Sequence, residues 1–172
     1  MNLPNRITIS RILLIPVFIT LFYFLENPNK KIILAILFAI MALSDFLDGY
    51  LARKNKKVTK SGALLDPIAD KLITIAVIIL YVGNGIPHWM ALILISRDII
   101  VSGVRALALE YRKIIGVSIL GKIKTTIEMI SLILIILEIN LGTILLGAAA
   151  LLSVVSGTDY VIKGLREIKK EF

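Results

Sequence analysis

The chain has 172 residues, 58% of them apolar, with a mean hydropathy of +0.91 and a formal net charge of +8. Soluble domains are roughly 45–50% apolar, so this balance excludes a soluble globule, a secreted disulfide scaffold and a disordered chain. There is no cysteine, which excludes thiol redox chemistry and thiolate metal sites.

A helix that crosses a bilayer takes roughly 20 residues, so six of them would use about 120 and leave room for short loops and two short ends but not for a soluble domain. Five interruptions, at 26–31, 54–60, 82–87, 111–121 and 138–142, separate six apolar segments. These predict helices at about 9–25, 31–53, 61–81, 88–110, 120–138 and 142–162. A short interfacial stretch at about 2–10 precedes the first segment, and a basic tail, 163–172, follows the last. The apolar run from Ile12 has no small-residue cleavage site before Asn27, so it reads as a retained span and not as a signal peptide. Segments two to four contain charges, but only a helix satisfies its own backbone in lipid, so they count as spans too. With no repeat and no linker, the expectation is one all-α integral membrane domain over 1–172, a six-transmembrane-helix bundle.

Alternating spans put Arg6, Arg11, Arg53, Lys54, Lys56, Lys57 and Lys60 on one side of the membrane. Arg112, Lys113, Lys122, Lys124, Lys163, Arg166, Lys169 and Lys170 fall on the same side, whereas the other side has only Lys30 and Lys31. The positive-inside rule then places both termini in the cytoplasm, in the cell membrane. Tyr81, His88 and Trp89 flank a short outer turn, where amphipathic rings settle. Topology and anionic leaflets account for the positive charge, so no nucleic-acid partner is expected.

The strongest chemical signal is Asp45-Phe-Leu-Asp48-Gly49-Tyr-Leu-Ala52-Arg53, followed by Gly62, Asp66 and Asp70. At 100° per residue, Asp45, Asp48, Gly49, Ala52 and Arg53 share one arc of a helix. Gly62, Asp66 and Asp70 form an i, i+4, i+8 stripe on the next helix. Four carboxylates at similar depth in a low-dielectric slab need raised pKa values, cationic partners or metal. Arg53 and Lys71 are too few to neutralise them, whereas two hard divalent ions would; oxygen ligands suit Mg²⁺, Mn²⁺ or Ca²⁺, and Mg²⁺ or Mn²⁺ is the expectation. Gly49 and Gly62 leave bare backbone beside the acids, which lets a bulky ligand such as a nucleotide approach. Two other readings compete here: a salt-bridge network that only locks two spans together, and the ion pathway of a cation-coupled transporter.

The pattern Asp-x2-Asp-Gly-x2-Ala-Arg-x8-Gly-x3-Asp-x3-Asp, complete from Asp45 to Asp70, resembles the signature of the CDP-alcohol phosphotransferases. The resemblance implies a six-helix membrane enzyme, a homodimer, that uses two divalent ions per site. Such an enzyme moves a phosphatidyl group from a CDP-linked lipid to an alcohol and releases CMP. It further implies that Asp45, Asp48, Asp66 and Asp70 are metal ligands in a cytoplasm-facing site, and that Asp70 is also the general base. By the same resemblance Gly49, Arg53 and Thr59 contact the CDP moiety. The opening Pro4-Asn5-x2-Thr8-x2-Arg11 resembles the family's N-terminal stretch and adds Asn5 and Thr8 to the CDP-lipid contacts.

The acceptor is read from later residues. Ser96-Arg97-Asp98 through Ser102-Gly103-Val-Arg105, with Gly121-Lys122-Ile-Lys124-Thr125, resembles bacterial members that use CDP-diacylglycerol and sn-glycerol 3-phosphate. Arg105, Lys122 and Lys124 are the cations expected to surround the acceptor phosphate. An inositol-phosphate acceptor would need the same set and stays open. Arg97 lies deeper and is expected to pair with Asp98 or a carbonyl; Glu128 is expected to pair across helices. His88, the single histidine, sits in the outer turn, away from the acids.

Overall fold

An apolar segment must satisfy its N–H and C=O groups internally, and all six runs do so as helices in the computed structural model of the chain. They are α1 (Leu3–Phe24), α2 (Lys30–Asn55), α3 (Lys60–Tyr81), α4 (His88–Glu110), α5 (Ile119–Ile136) and α6 (Leu141–Lys169). The structure describes the backbone of residues 3–55, 60–111, 116 and 118–169, and the side chains of 13–43, 71–108, 110–111, 116 and 118–168. Among these no strand forms, and the all-α expectation holds; an isolated backbone bridge pairs Val82 with Ile86.

Two boundaries differ from the sequence reading. Helix α1 begins at Leu3 and so includes the backbone of the stretch expected to lie apart at the interface. Helix α6 runs to Lys169, well into the expected tail, because 163–169 lacks proline and is rich in helix formers. An i, i+4 ion pair supports that last stretch, Lys163 Nζ to Asp159 Oδ2 at 2.7 Å. Among the described residues, the helix Leu141–Ile168 is long and apolar enough to cross a membrane.

The connections are tight where the helices need them to be. Gly83 and Gly85 adopt φ of +79° and +102°, which only glycine enters cheaply, and they turn the chain from α3 into α4. Thr143 Oγ1 of α6 donates to Gly85 O at 2.7 Å and ties that turn to the bundle. Helix α5 ends with Glu138 at φ +61°, and its carboxylate accepts from Lys31 Nζ at 3.1 Å. Gly142 then lets α6 start against α5; a Cβ there would lie 2.8 Å from Ile135 N.

Helix α6 packs on α4 and α5, α1 on α2 and α3, and α3 reaches both α4 and α5. Phe18, Leu34, Phe38, Val77, Leu94, Leu132 and Leu146 meet in one core drawn from every helix. The opposite faces expose large apolar side chains, among them Ile36, Ile40, Leu43, Ile79, Leu92, Ile144 and Leu151. The polar residues collect elsewhere, between α3, α4, α5 and α6.

Candidate active site

Helix register places the four aspartates at matching depth. Asp45 and Asp48 lie ten and seven residues before the end of α2 at Asn55, and Asp66 and Asp70 lie six and ten residues after the start of α3 at Lys60. At 1.5 Å per residue all four fall about 9–15 Å from the end that the two helices share. The side chains of these aspartates, with those of Asn5, Thr8 and Arg53, lie outside the described residues, as do the surroundings of Gly49 and all of Thr59. Four carboxylates on two neighbouring helices are a donor set that suits hard divalent cations. Among the described residues, no group of three or more His, Cys, Asp or Glu could hold a metal.

Lys71 directly follows Asp70 in the chain. Lys71 lines a cavity of about 180 Å³ enclosed by α3, α4, α5 and α6, together with Arg97, Asp98, Arg105, Glu128 and Tyr160. Asp98 is its hub. Its Oδ1 accepts from Arg97 Nη1 at 2.8 Å and lies 3.2 Å from both Lys71 Nζ and Lys124 Nζ. Lys71 also donates to the Asp98 carbonyl at 3.2 Å, which holds α3 against α4. Lys124, fully buried, donates to Glu128 Oε2 at 2.8 Å and so links Asp98 to α5. Among the described residues, four cations, Lys71, Arg97, Arg105 and Lys124, stand around two carboxylates, Asp98 and Glu128.

Local sequence explains these placements. Ser118 caps α5, its Oγ accepting from Gly121 N at 3.1 Å, and so starts the helix one turn before Lys124. The buried face of α5 is the i, i+3/i+4 stripe Gly121, Lys124, Glu128, Ser131, Leu132 and Ile135. Gly157 of α6 makes room for Arg97, since a Cβ there would lie 2.8 Å from Arg97 Cγ. Arg97 Nη2 then reaches Ser156 Oγ at 3.4 Å. Arg105 Nε donates to Tyr160 Oη at 3.4 Å, and the guanidinium lies 5.9 Å from that ring's centroid.

Of the three cations expected around an acceptor phosphate, the structure puts Arg105 on the cavity wall and Lys124 beneath it within the ion-pair network. Lys122 lies on the exposed face of α5 and does not line the cavity. Arg97 pairs with Asp98, as its position suggested. Glu128 pairs with Lys124 of its own helix, where a cross-helix partner was expected; only through Lys124 does it reach α4. The sequence reading missed Lys71, Thr74 and Tyr160 as lining residues. Lys71 and Thr74 follow Asp70 by one and four residues, a helical spacing that could have flagged them.

Comparison with known proteins follows from the same residues. The profile of the CDP-alcohol phosphatidyltransferase family matches residues 1–155. Three relatives are named CDP-diacylglycerol–glycerol-3-phosphate 3-phosphatidyltransferase. That of Haemophilus influenzae is 40% identical, with 93% of this chain and 91% of the relative covered. The Bacillus subtilis protein is 36% identical, with 98% and 97% covered. The Rickettsia bellii protein is 37% identical, with 92% and 93% covered.

Proposed function

The chain belongs to the CDP-alcohol phosphatidyltransferase family, and from that premise we propose that it transfers the phosphatidyl group of CDP-diacylglycerol to sn-glycerol 3-phosphate. The products are phosphatidylglycerophosphate and CMP. The acceptor hydroxyl oxygen bonds to the phosphatidyl phosphorus as the bond from that phosphorus to CMP breaks. One observation carries the reading: Lys71 puts a cation-rich cavity one residue along α3 from the last aspartate of the motif.

Donor and acceptor are both anionic, and the two regions divide them. Family members generally depend on divalent metal, and Asp45, Asp48, Asp66 and Asp70 are the residues that would hold it. Bound Mg²⁺ or Mn²⁺ would offset charge on the diphosphate and on the attacking oxygen. Asp70 takes the proton from the acceptor hydroxyl, a role that needs a carboxylate at the border between the two regions. Gly49, Arg53 and Thr59, with Asn5 and Thr8, hold the CDP end. Arg105 receives the acceptor phosphate, and Lys71 and Arg97, pinned by Asp98, add positive field behind it. Lys124 acts through Asp98 and Glu128 as a positioning residue; Lys122 is an anchor at the surface.

The exposed apolar faces of the helices and the span-length helix Leu141–Ile168 support a place in a bilayer. The reading includes six spans, both termini and the site on the cytoplasmic side, a single domain over 1–172 and a homodimer. A membrane setting explains the architecture, because the diphosphate must reach polar groups while the acyl chains stay in hydrocarbon. Purified protein is incubated with CDP-diacylglycerol and sn-glycerol 3-phosphate, myo-inositol phosphate or serine, with Mg²⁺ or Mn²⁺ and after chelation, and CMP is measured. Metal-dependent release with sn-glycerol 3-phosphate alone is the expected result. Release only with inositol phosphate would overturn the acceptor, and undiminished release after chelation would overturn the role of the aspartates.

A further inference from the structure

Glu128 is 2% exposed, and its two oxygens have different surroundings. Oε2 accepts from Lys124 Nζ at 2.8 Å, whereas Oε1 is buried and has no hydrogen-bond partner among the described residues. Buried polar atoms are nearly always partnered, and a carboxylate oxygen without a donor is a costly exception. Lys124 is already shared with Asp98 at 3.2 Å. Glu128 borders the 180 Å³ cavity, a volume equal to about six waters in the liquid. The cations on that wall answer a phosphate, but an ionised phosphate offers a carboxylate no donor. A hydroxyl does.

We propose that Glu128 is a specificity-determining residue whose Oε1 accepts a hydrogen bond from the acceptor hydroxyl that does not react, the one on C2. The inference rests on the acceptor reading above and deepens it. Arg105 holds the phosphate, Asp70 serves the reacting hydroxyl, and Glu128 reads the remaining one. The ion pair from Oε2 to Lys124 fixes the carboxylate and leaves its other oxygen for the ligand.

The test compares sn-glycerol 3-phosphate with 3-hydroxypropyl phosphate, which keeps the phosphate and the nucleophilic hydroxyl but lacks the one on C2. CMP release from CDP-diacylglycerol is measured for the full chain in detergent, and for Glu128→Ala and Glu128→Gln. The unmodified protein is expected to favour sn-glycerol 3-phosphate by at least about 30-fold in kcat/KM, because a site built for a hydroxyl is left unpaired by an analogue without it. In Glu128→Ala the preference is expected to fall to within about threefold, through lost activity on sn-glycerol 3-phosphate. Should that variant fail to fold, Glu128→Gln keeps the shape without the charge and is expected to lower the preference at least about fivefold. A preference below about threefold in the unmodified protein, or one unchanged in the folded variants, overturns the assignment of Glu128 alone. No CMP with either acceptor overturns the functional reading and the inference with it.

Discussion

The two polar regions of the bundle carry different sets of charges. From Asp45 to Asp70 the helical stretches carry four aspartates against Arg53 and Lys54 at the end of α2 and Lys60 at the start of α3. The cavity beyond Lys71 sets Lys71, Arg97, Arg105 and Lys124 against Asp98 and Glu128. Helix α3 belongs to both, since Asp70 and Lys71 are adjacent. Unbalanced charge away from water is tolerable when a ligand completes it. On the function proposed above, the first region would hold cations and the second an anion, as a diphosphate donor and a phosphorylated acceptor require. The basic half has a salt-bridge network around Asp98, assembled from three helices.

The contrast is sharpest at Asp70. Asp70→Asn is expected to lower CMP release by about 10³-fold while CDP-diacylglycerol binding, followed by a fluorescent lipid analogue, changes only a few-fold. Undiminished turnover would break the assignment of proton transfer to the acidic half. On the basic side, Asp98→Ala removes the hub and leaves Lys71, Arg97 and Lys124 to share Glu128. Breaking a buried network in this way costs about 3–5 kcal/mol, read as a fall in thermal stability in detergent. A midpoint within about 2 °C of the unmodified protein would show that the cluster does not hold the helices together.

Smaller effects divide the cations from one another. Arg105→Ala is expected to raise the KM for sn-glycerol 3-phosphate about 10–100-fold and to leave that for CDP-diacylglycerol within twofold, the loss of one charge-assisted contact. Equal rises for both substrates would make Arg105 a structural partner of Tyr160 instead. Lys122→Ala, on the exposed face, is expected to change either KM by less than about twofold. A larger rise for the acceptor would return Lys122 to the site and enlarge the basic half.

Much of this was legible before any coordinates. The six apolar runs predict six helices because a long apolar run satisfies its own backbone groups as a helix, and the boundaries that moved did so at the two ends of the chain. The acidic motif is readable because its members are close in sequence and periodic. The basic cavity is not, because Lys71, Asp98, Arg105, Lys124 and Tyr160 come from four helices, and no local spacing says that they meet.

Lys122 and Lys124 mark the boundary between the two kinds of knowledge. Being two residues apart on a helix, they point about 200° apart, so their spacing alone sets them on different faces. Which of them turns inward depends on the face of α5 that α4 and α6 cover, and that is the Gly121, Lys124, Glu128 stripe. The order of residues determined the helix count, the acidic signature and the excess of positive charge. Packing alone decided that Asp98 collects three cations and that Glu128 keeps one oxygen unpaired, because hydrogen-bond partners between helices are chosen by how their surfaces interlock and not by distance along the chain.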